Sequence, residues 1–249
     1  MLTFPRKLVP SLPKVSVITT IKDRPELTER SLRSLLSRAT YHPLELLWVD
    51  DGSQEPTKRL LSKLASEIGS NSRLSVRILT NPDEPRGVSH ADNLGLFEAT
   101  GDILVLTDND VLYAPRWLEV GVTLVQNPDI LEMGVKVVSL FNYFHPEPTR
   151  VPGLFNCCGV PVFRSEYGTG CNLIFLKDVP RLWGGMFPVG MPDDLHIHNS
   201  LYKKYPRAYL ISFESYVQHI GVESSLGHDQ VARAFHFLGQ ELENVCPGS

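Results

Sequence analysis

Between residues 14 and 110, four short apolar runs alternate with three amphipathic stretches, and few folds accept that order. The runs are VSVITT at 15–20, LELLWV at 44–49, LSVRIL at 74–79 and ILVL at 103–106. They are short, rich in aliphatic and β-branched residues, and bounded by polar residues or glycine, as buried strands are. After the first run, Leu27, Leu32, Leu35 and Leu36 share a helical face, with Arg30, Arg33 and Arg38 outside it. Asp23, Pro25 and Glu26 have the spacing of a capping box, which predicts a helix opening at Asp23. Leu60, Leu61, Leu64 and Ile68 make a second such face that Gly69 can end, and Val88, Ala91, Leu94 and Ala99 a third. A β-α-β-α-β-α-β order predicts an α/β fold, a mostly parallel central sheet flanked by helices.

The fourth run lies within GDILVLTDND at 101–110 and leads into two carboxylates, Asp108 and Asp110. Alternate residues of an extended chain face the same way, so both can address one point beyond the strand's end. Open α/β sheets bind their ligands there. Two anionic oxygen donors suit a hard divalent cation that shares its shell with substrate phosphates. Taken alone, Asp108-Asn109-Asp110 also reads as a loop that caps the next helix. Other acids follow the other strands, Asp23 after the first and Asp50 and Asp51 after the second. Capping explains any one of them, but it explains their convergence on one sheet edge poorly. Carboxylates gathered there repel unless a cation or hydrogen-bond donors offset them. A metal diphosphate supplies the first, and a nucleotide base or ribose the second.

The second half is less regular. A helix is expected over 115–125, a strand-like stretch over 130–140, then a long irregular loop over 141–170 carrying Pro146, Pro148, Pro152 and Pro161. Further strands are expected at 171–176 and 208–212, a short helix over 194–204 and an amphipathic helix over 229–245 that could serve an interface between copies. The chain of 249 residues is 42% hydrophobic and 21% charged, enough for a sizeable core. A net charge of −4 gives no reason to expect nucleic acid as a partner. No apolar run approaches the roughly 20 residues of a membrane helix, and the proline-rich start lacks the apolar segment of a signal peptide. Cys157, Cys158, Cys171 and Cys246 form no C-x-x-C pair, and the adjacent two read as buried small hydrophobes. These features together predict a cytoplasmic protein. The stretch 202–207, YKKYPR, is basic with interleaved aromatics. It reads as a solvated helix end, with contact to a membrane surface as the alternative.

Four blocks carry a family resemblance: VSVITTIKD, LELLWVDDGS, GVSHADNLGLFEATGDILVLTDND and GTGCNLIFL. In order and spacing they resemble the family 2 glycosyltransferases, whose nucleotide-sugar-binding fold is called GT-A, from about residue 14 to about residue 221. The resemblance implies one GT-A-like domain over 1–249, with a nucleotide-sugar-binding half at 14–113 and an irregular acceptor-binding half at 114–249. It implies an inverting enzyme that uses Mn2+ or Mg2+. Such an enzyme moves a sugar from a nucleotide diphosphate sugar, here expected to be uridine-based, to a hydroxyl of a glycan or other acceptor.

Site residues follow from the same match. Thr20 and Asp23 border the donor's nucleoside, and Asp51 accepts a hydrogen bond from the base. Asp108 stands near the ribose and the metal, Asp110 ligates the metal, and Asn93 and Gly95 match the helix ahead of the D-x-D strand. Asp194, in Pro192-Asp193-Asp194, resembles the general base that deprotonates the acceptor hydroxyl, a role a positioned carboxylate can fill. Helix capping is its alternative. His219, in YVQHIGVESS, matches a histidine that joins the metal shell, and imidazole beside carboxylates favours manganese over calcium. A satisfied core or surface histidine is the alternative there. Two departures are visible: Asp92 stands where the family often has arginine, for which Arg86 could substitute, and Asp193 stands in place of glutamate. Trp183 and Gly184 are candidates for the acceptor site with Asp193, since aromatic rings stack on sugars and glycine admits close approach. Trp183 as plain core is equally compatible with the sequence.

Rival readings differ in recognisable ways. A sugar-phosphate nucleotidyltransferase needs a glycine-rich basic loop after the first strand, which is missing. A phospho-accepting receiver module needs about half this length. A catalytically inactive relative serving as a binding subunit is opposed by the intact Asp108, Asp110 and Asp194.

Overall fold

The computed structural model describes residues 12–69, 74–81, 86–144, 147–188, 190–221 and 237–239. The predicted alternation is present: β1 (Val15–Ile21), α1 (Pro25–Ser37), β2 (Leu44–Asp50), α2 (Glu55–Ile68), β3 (Leu74–Thr80), α3 (Val88–Glu98) and β4 (Ile103–Asp108). The second half adds β5 (Val111–Tyr113), α4 (Trp117–Val125), α5 (Pro128–Glu132), β6 (Val137–Ser139), β7 (Phe155–Cys157), β8 (Val160–Ser165), β9 (Asn172–Leu176), α6 (Asp193–Leu201), β10 (Tyr209–Ser212) and β11 (Val217–His219). One nine-stranded sheet runs β3-β2-β1-β4-β9-β6-β10-β8-β7. Only β9 and β8 run against the common direction, so the sheet is mostly parallel.

The central strands β1, β2 and β4 are buried on both faces, whereas the edge strand β3 is partly exposed, and side-chain alternation assigns each face its own core. On β2, Leu46 and Trp48 join the cluster containing Leu32, Leu61, Trp117 and Ile174, while Leu47 and Val49 join that of Ala91, Phe175 and Ile197. Helices α1, α2 and α4 thus cover one face, and α3 and α6 the other. Gly95 lets α3 approach the sheet, because a Cβ there would overlap the Ile18 side chain.

Several expectations are corrected. Asp23 does not cap α1: the residue before the helix is Arg24, left-handed at φ 57, with no side-chain cap. The strand expected over 130–140 splits into α5 and β6. Asn127 opens α5 by accepting a hydrogen bond from the Ile130 amide, with Pro128 at the first turn. The loop expected over 141–170 contains the β7–β8 hairpin, turned by Cys158 and Gly159, both with positive φ as a type I′ turn requires. Cys158 is accordingly exposed, while Cys157 is buried. The helix expected over 229–245 lies mostly outside the described residues. Of its span, 237–239 form a single bridge and a turn. Among the described residues no helix is long and apolar enough to cross a membrane.

Candidate active site

Strand register places the acids. In the β1–β4 ladder Thr20 lies opposite Asp108. The chain then turns through Asn109 and Asp110 into β5, which pairs antiparallel with β11 so that His219 lies opposite Val111. The Ile220 amide donates to the Asp110 carbonyl at 2.8 Å. This two-stranded ribbon carries His219 across more than a hundred residues of sequence to the D-x-D turn.

Asp108, Asp110 and His219 each offer a ligand atom, and these atoms lie within 4.8 Å of one another. Asp110 is almost wholly buried, and its Oδ1 pairs with His219 Nε2 at 3.0 Å. That spacing is the edge of an octahedron with bonds of about 2.1 Å. A buried carboxylate oxygen paired with an imidazole nitrogen at that distance, with Asp108 alongside, also fits a hard divalent cation held between them. Burial alone would raise the Asp110 carboxyl, but His219 and Arg24 outweigh it and hold it below the usual range. Asp108 is pushed up to about 6 by burial and by the charge of Asp110. Burial opposes protonation of His219, yet Asp110 and Asp108 raise it.

These residues line a cleft of about 370 Å3 together with Thr20, Asp51, Asp193 and Asp194, a volume suited to a small ligand. A second cavity of about 210 Å3 opens at the opposite sheet edge among Val125, Ile130, Leu182 and Tyr205, away from these acids.

Other expected site residues take varied places. Asp51 lines the cleft, but Oδ1 accepts from the Arg86 amide and from Asn81 Nδ2, and Oδ2 accepts from the Gly87 amide. A carboxylate has about four lone-pair sites, so a further donor can still be accepted. Asp23 turns toward the second strand's loop, where Oδ1 accepts from the Gln54 amide at 2.6 Å. Arg86 acts through its backbone, and its guanidinium lies 3.4 Å from His90 Nε2. Asn93 is committed to the segment before α6: its amide nitrogen donates to the Phe187 carbonyl and its oxygen accepts from the Phe187 amide. Trp183 belongs to the core, 4% exposed, edge-on to Phe175 and stacked on Phe187, which removes it as an acceptor platform. Gly184 follows it at φ 92, outside the cleft lining.

The two acids opening α6 differ. Asp193 is buried against Gly170, where an added Cβ would come within 2.8 Å of its Oδ1. Burial, with the charges of Asp194 and Asp108, pushes it up to about 7. Asp194 is partly exposed, and its Oδ1 accepts from the Leu195 amide at 2.7 Å. The folded, metal-free protein therefore keeps a proton on Asp193 that the unfolded chain releases near pH 4, so this group's contribution to stability falls as pH rises from about 4 to about 7. Each unit of such displacement is worth about 1.4 kcal/mol. Melting temperatures of Asp193→Asn should change less with pH across that window than those of the wild type.

The sequence reading missed Arg24 and Gly221, and met Asp92 only as a departure from the family pattern. Arg24 lines the cleft and pairs with Asp110 Oδ2. Gly221 packs where any Cβ would overlap Asp110 Oδ2 and crowd Arg24. Asp92 is fully buried with Oδ2 unpartnered, and burial together with Asp193 and Asp108 raises it well above the carboxylate range. Gly221 carried a signal, its place two residues after His219, and Asp92 stood out where the family often has arginine. Gly221→Ala should weaken Mn2+ binding about tenfold or more, read by calorimetry, because Asp110 must shift out of line with His219.

An acid pair at the edge of an α/β sheet, a histidine from the β5–β11 ribbon and two acids opening α6 thus meet in one cleft. Residues 16–164 match the family described as glycosyl transferase family 2, and the chain belongs to that family. Among curated relatives it is 31% identical over 196 residues to a glucosyl-dolichyl phosphate glucuronosyltransferase of Haloferax volcanii, covering 74% of this chain and 59% of that protein. Among solved structures it resembles the mannosyltransferase PcManGT of Pyrobaculum calidifontis in complex with GDP-Man and Mn2+. The TM-score is 0.60 at 24% identity, covering 80% of this chain and 56% of that one. It also resembles S. aureus TarS in complex with UDP-GlcNAc, with TM-score 0.62 at 17% identity over 85% of this chain and 60% of that one. These likenesses show the GT-A fold.

Proposed function

We propose that this chain is a metal-dependent inverting glycosyltransferase that moves a sugar from a nucleotide diphosphate sugar, uridine-based, to the hydroxyl of a glycan or glycoconjugate. The observation that carries this reading is the gathering of Asp108, Asp110 and His219 ligand atoms within 4.8 Å of one another, in one cleft with Asp194. In this reading residues 14–113 hold the donor and 114–249 the acceptor. Asp108, Asp110 and His219 hold Mn2+ or Mg2+, and the bound ion offsets charge on the leaving diphosphate. Thr20 and Asp51 border the nucleoside. Asp194 accepts the proton of the acceptor hydroxyl as that oxygen attacks the anomeric carbon, in a single displacement that inverts configuration. The donors named in complexes of similar structures, GDP-Man with Mn2+ and UDP-GlcNAc, support a nucleotide sugar as the donor class. The relative named a glucosyl-dolichyl phosphate glucuronosyltransferase, together with the exposed Tyr202-Lys203-Lys204 stretch, supports work at a membrane periphery.

The test is calorimetric binding of UDP, GDP, dTDP and CMP, each with and without Mn2+. UDP binding that strengthens at least tenfold with Mn2+ is the expected result. Stronger binding of GDP would change the base and keep the reaction class. Binding of none, by folded protein, would sink the reading.

A further inference from the structure

Arg24 stands in a backbone conformation that its side chain does not favour. Asp23 and Arg24 are consecutive non-glycine residues with φ of 52 and 57, a left-handed pair that costs on the order of 1 kcal/mol or more per residue. The pair is clamped from both neighbouring loops. The Asp23 amide donates to Ser53 Oγ at 2.8 Å, and the Asp23 carbonyl accepts from Thr28 Oγ1 at 3.1 Å and from Asn109 Nδ2 at 3.3 Å. Asn109 also donates to Thr28 Oγ1 at 2.7 Å. The middle residue of the D-x-D turn thus fixes the turn that carries Arg24. The result is a guanidinium paired with Asp110 Oδ2, with its side chain still 25% exposed. Gly221 leaves just the space that this pair fills.

That contact uses one arm of a planar fork. Among the described residues the other guanidinium N–H groups make no hydrogen bond, although Arg24 lines the cleft. The neighbouring cation, Lys22, is already held by the Gly52 carbonyl at 2.7 Å and by Asp23 at 3.3 Å. So one oxygen of Asp110 pairs with His219, a residue that can also ligate a metal, while the other is neutralised by a cation with spare donors. Two charges compete for one carboxylate, and a guanidinium is suited to bidentate contact with phosphate oxygens.

Resting on the metal-site reading above, we infer that Arg24 is the resident counter-cation of Asp110, displaced when a divalent ion binds and then turned onto the donor's diphosphate. It is a positioning residue that couples the two ligands: it weakens binding of the ion alone and strengthens binding of ion and diphosphate together. Arg24→Ala therefore has effects of opposite sign on the two.

The experiment is calorimetry with Mn2+ alone, and then with inorganic pyrophosphate at saturating Mn2+, on wild type, Arg24→Ala, Arg24→Gln and Asp110→Asn. Melting curves confirm that each is folded, and the glutamine variant retains the packing of the side chain if alanine does not fold. The expected result is Mn2+ binding at least fivefold tighter in both Arg24 variants and pyrophosphate binding about tenfold weaker. If wild type binds Mn2+ through Asp110 but the Arg24 variants bind it no tighter, the counter-cation role is overturned and the metal site stands. If pyrophosphate binding is unchanged in them, the diphosphate contact is overturned. If neither wild type nor the Arg24 variants bind Mn2+, the metal site itself fails, and this inference with it.

Discussion

Asp194→Asn is expected to lower the turnover number about a thousandfold, within the range that general bases contribute, while donor binding stays within a factor of two. The side chain is partly exposed in the cleft, and asparagine keeps an oxygen to accept from the Leu195 amide, so the opening of α6 persists. What is lost is the ability to take a proton from the acceptor hydroxyl. Its neighbour makes the control. Asp193 lines the same cleft but is buried against Gly170, so its carboxyl is less open to an acceptor than the partly exposed Asp194. Asp193→Asn should therefore cost turnover far less. Steady-state rates for both variants, with nucleotide affinity measured in parallel, decide the assignment. Loss of transfer in Asp193→Asn with a normal Asp194→Asn would exchange the two roles.

The parallel half was legible because β1, β2 and β4 are buried on both faces and so are written as mostly apolar runs, with the partly exposed edge strand β3 placed by its position between two helices. Where local turn chemistry decided the structure, the pattern misled. Asp23-Arg24-Pro25-Glu26 has capping-box spacing, yet the Asp23 carboxylate is drawn to the Gln54 amide and the helix starts behind a left-handed Arg24. The β7–β8 hairpin was hidden because its turn uses Cys158-Gly159 in place of the Asn-Gly pair that usually marks a type I′ turn. At the site, the carboxylates could be read from strand ends alone. The Asp110–His219 pairing was expected from the family resemblance alone, since it depends on the register of β5 with β11, and short strands set by tertiary context leave little trace in sequence. Trp183 shows the converse. An aromatic residue before two glycines looks like a sugar platform, but Phe175 and Phe187 enclose it.

Asp110→Ala should abolish the Mn2+ dependence of nucleotide binding and weaken binding about a hundredfold at saturating metal, since an ion at a diphosphate is worth several kcal/mol. The carboxylate is 3% exposed and is the shared partner of His219 and Arg24, so its removal takes away the charge around which both cations are arranged. His219→Ala, which leaves both acids in place, should cost about tenfold. The fold should survive, because Arg24 remains partly in water and is left hydrated where a fully buried cation would be stranded. A second readout separates lost binding from lost structure. Metal at a hundred times its dissociation constant stabilises a protein by about 2.7 kcal/mol, so Mn2+ should raise the melting temperature of the wild type and leave that of Asp110→Ala unchanged. A variant that melts normally yet still gains stability and nucleotide affinity from Mn2+ would show that the ion sits elsewhere. In that case the pairing of Asp110 with Arg24 would be a structural ion pair, and the case for a metal between Asp110 and His219 would fall.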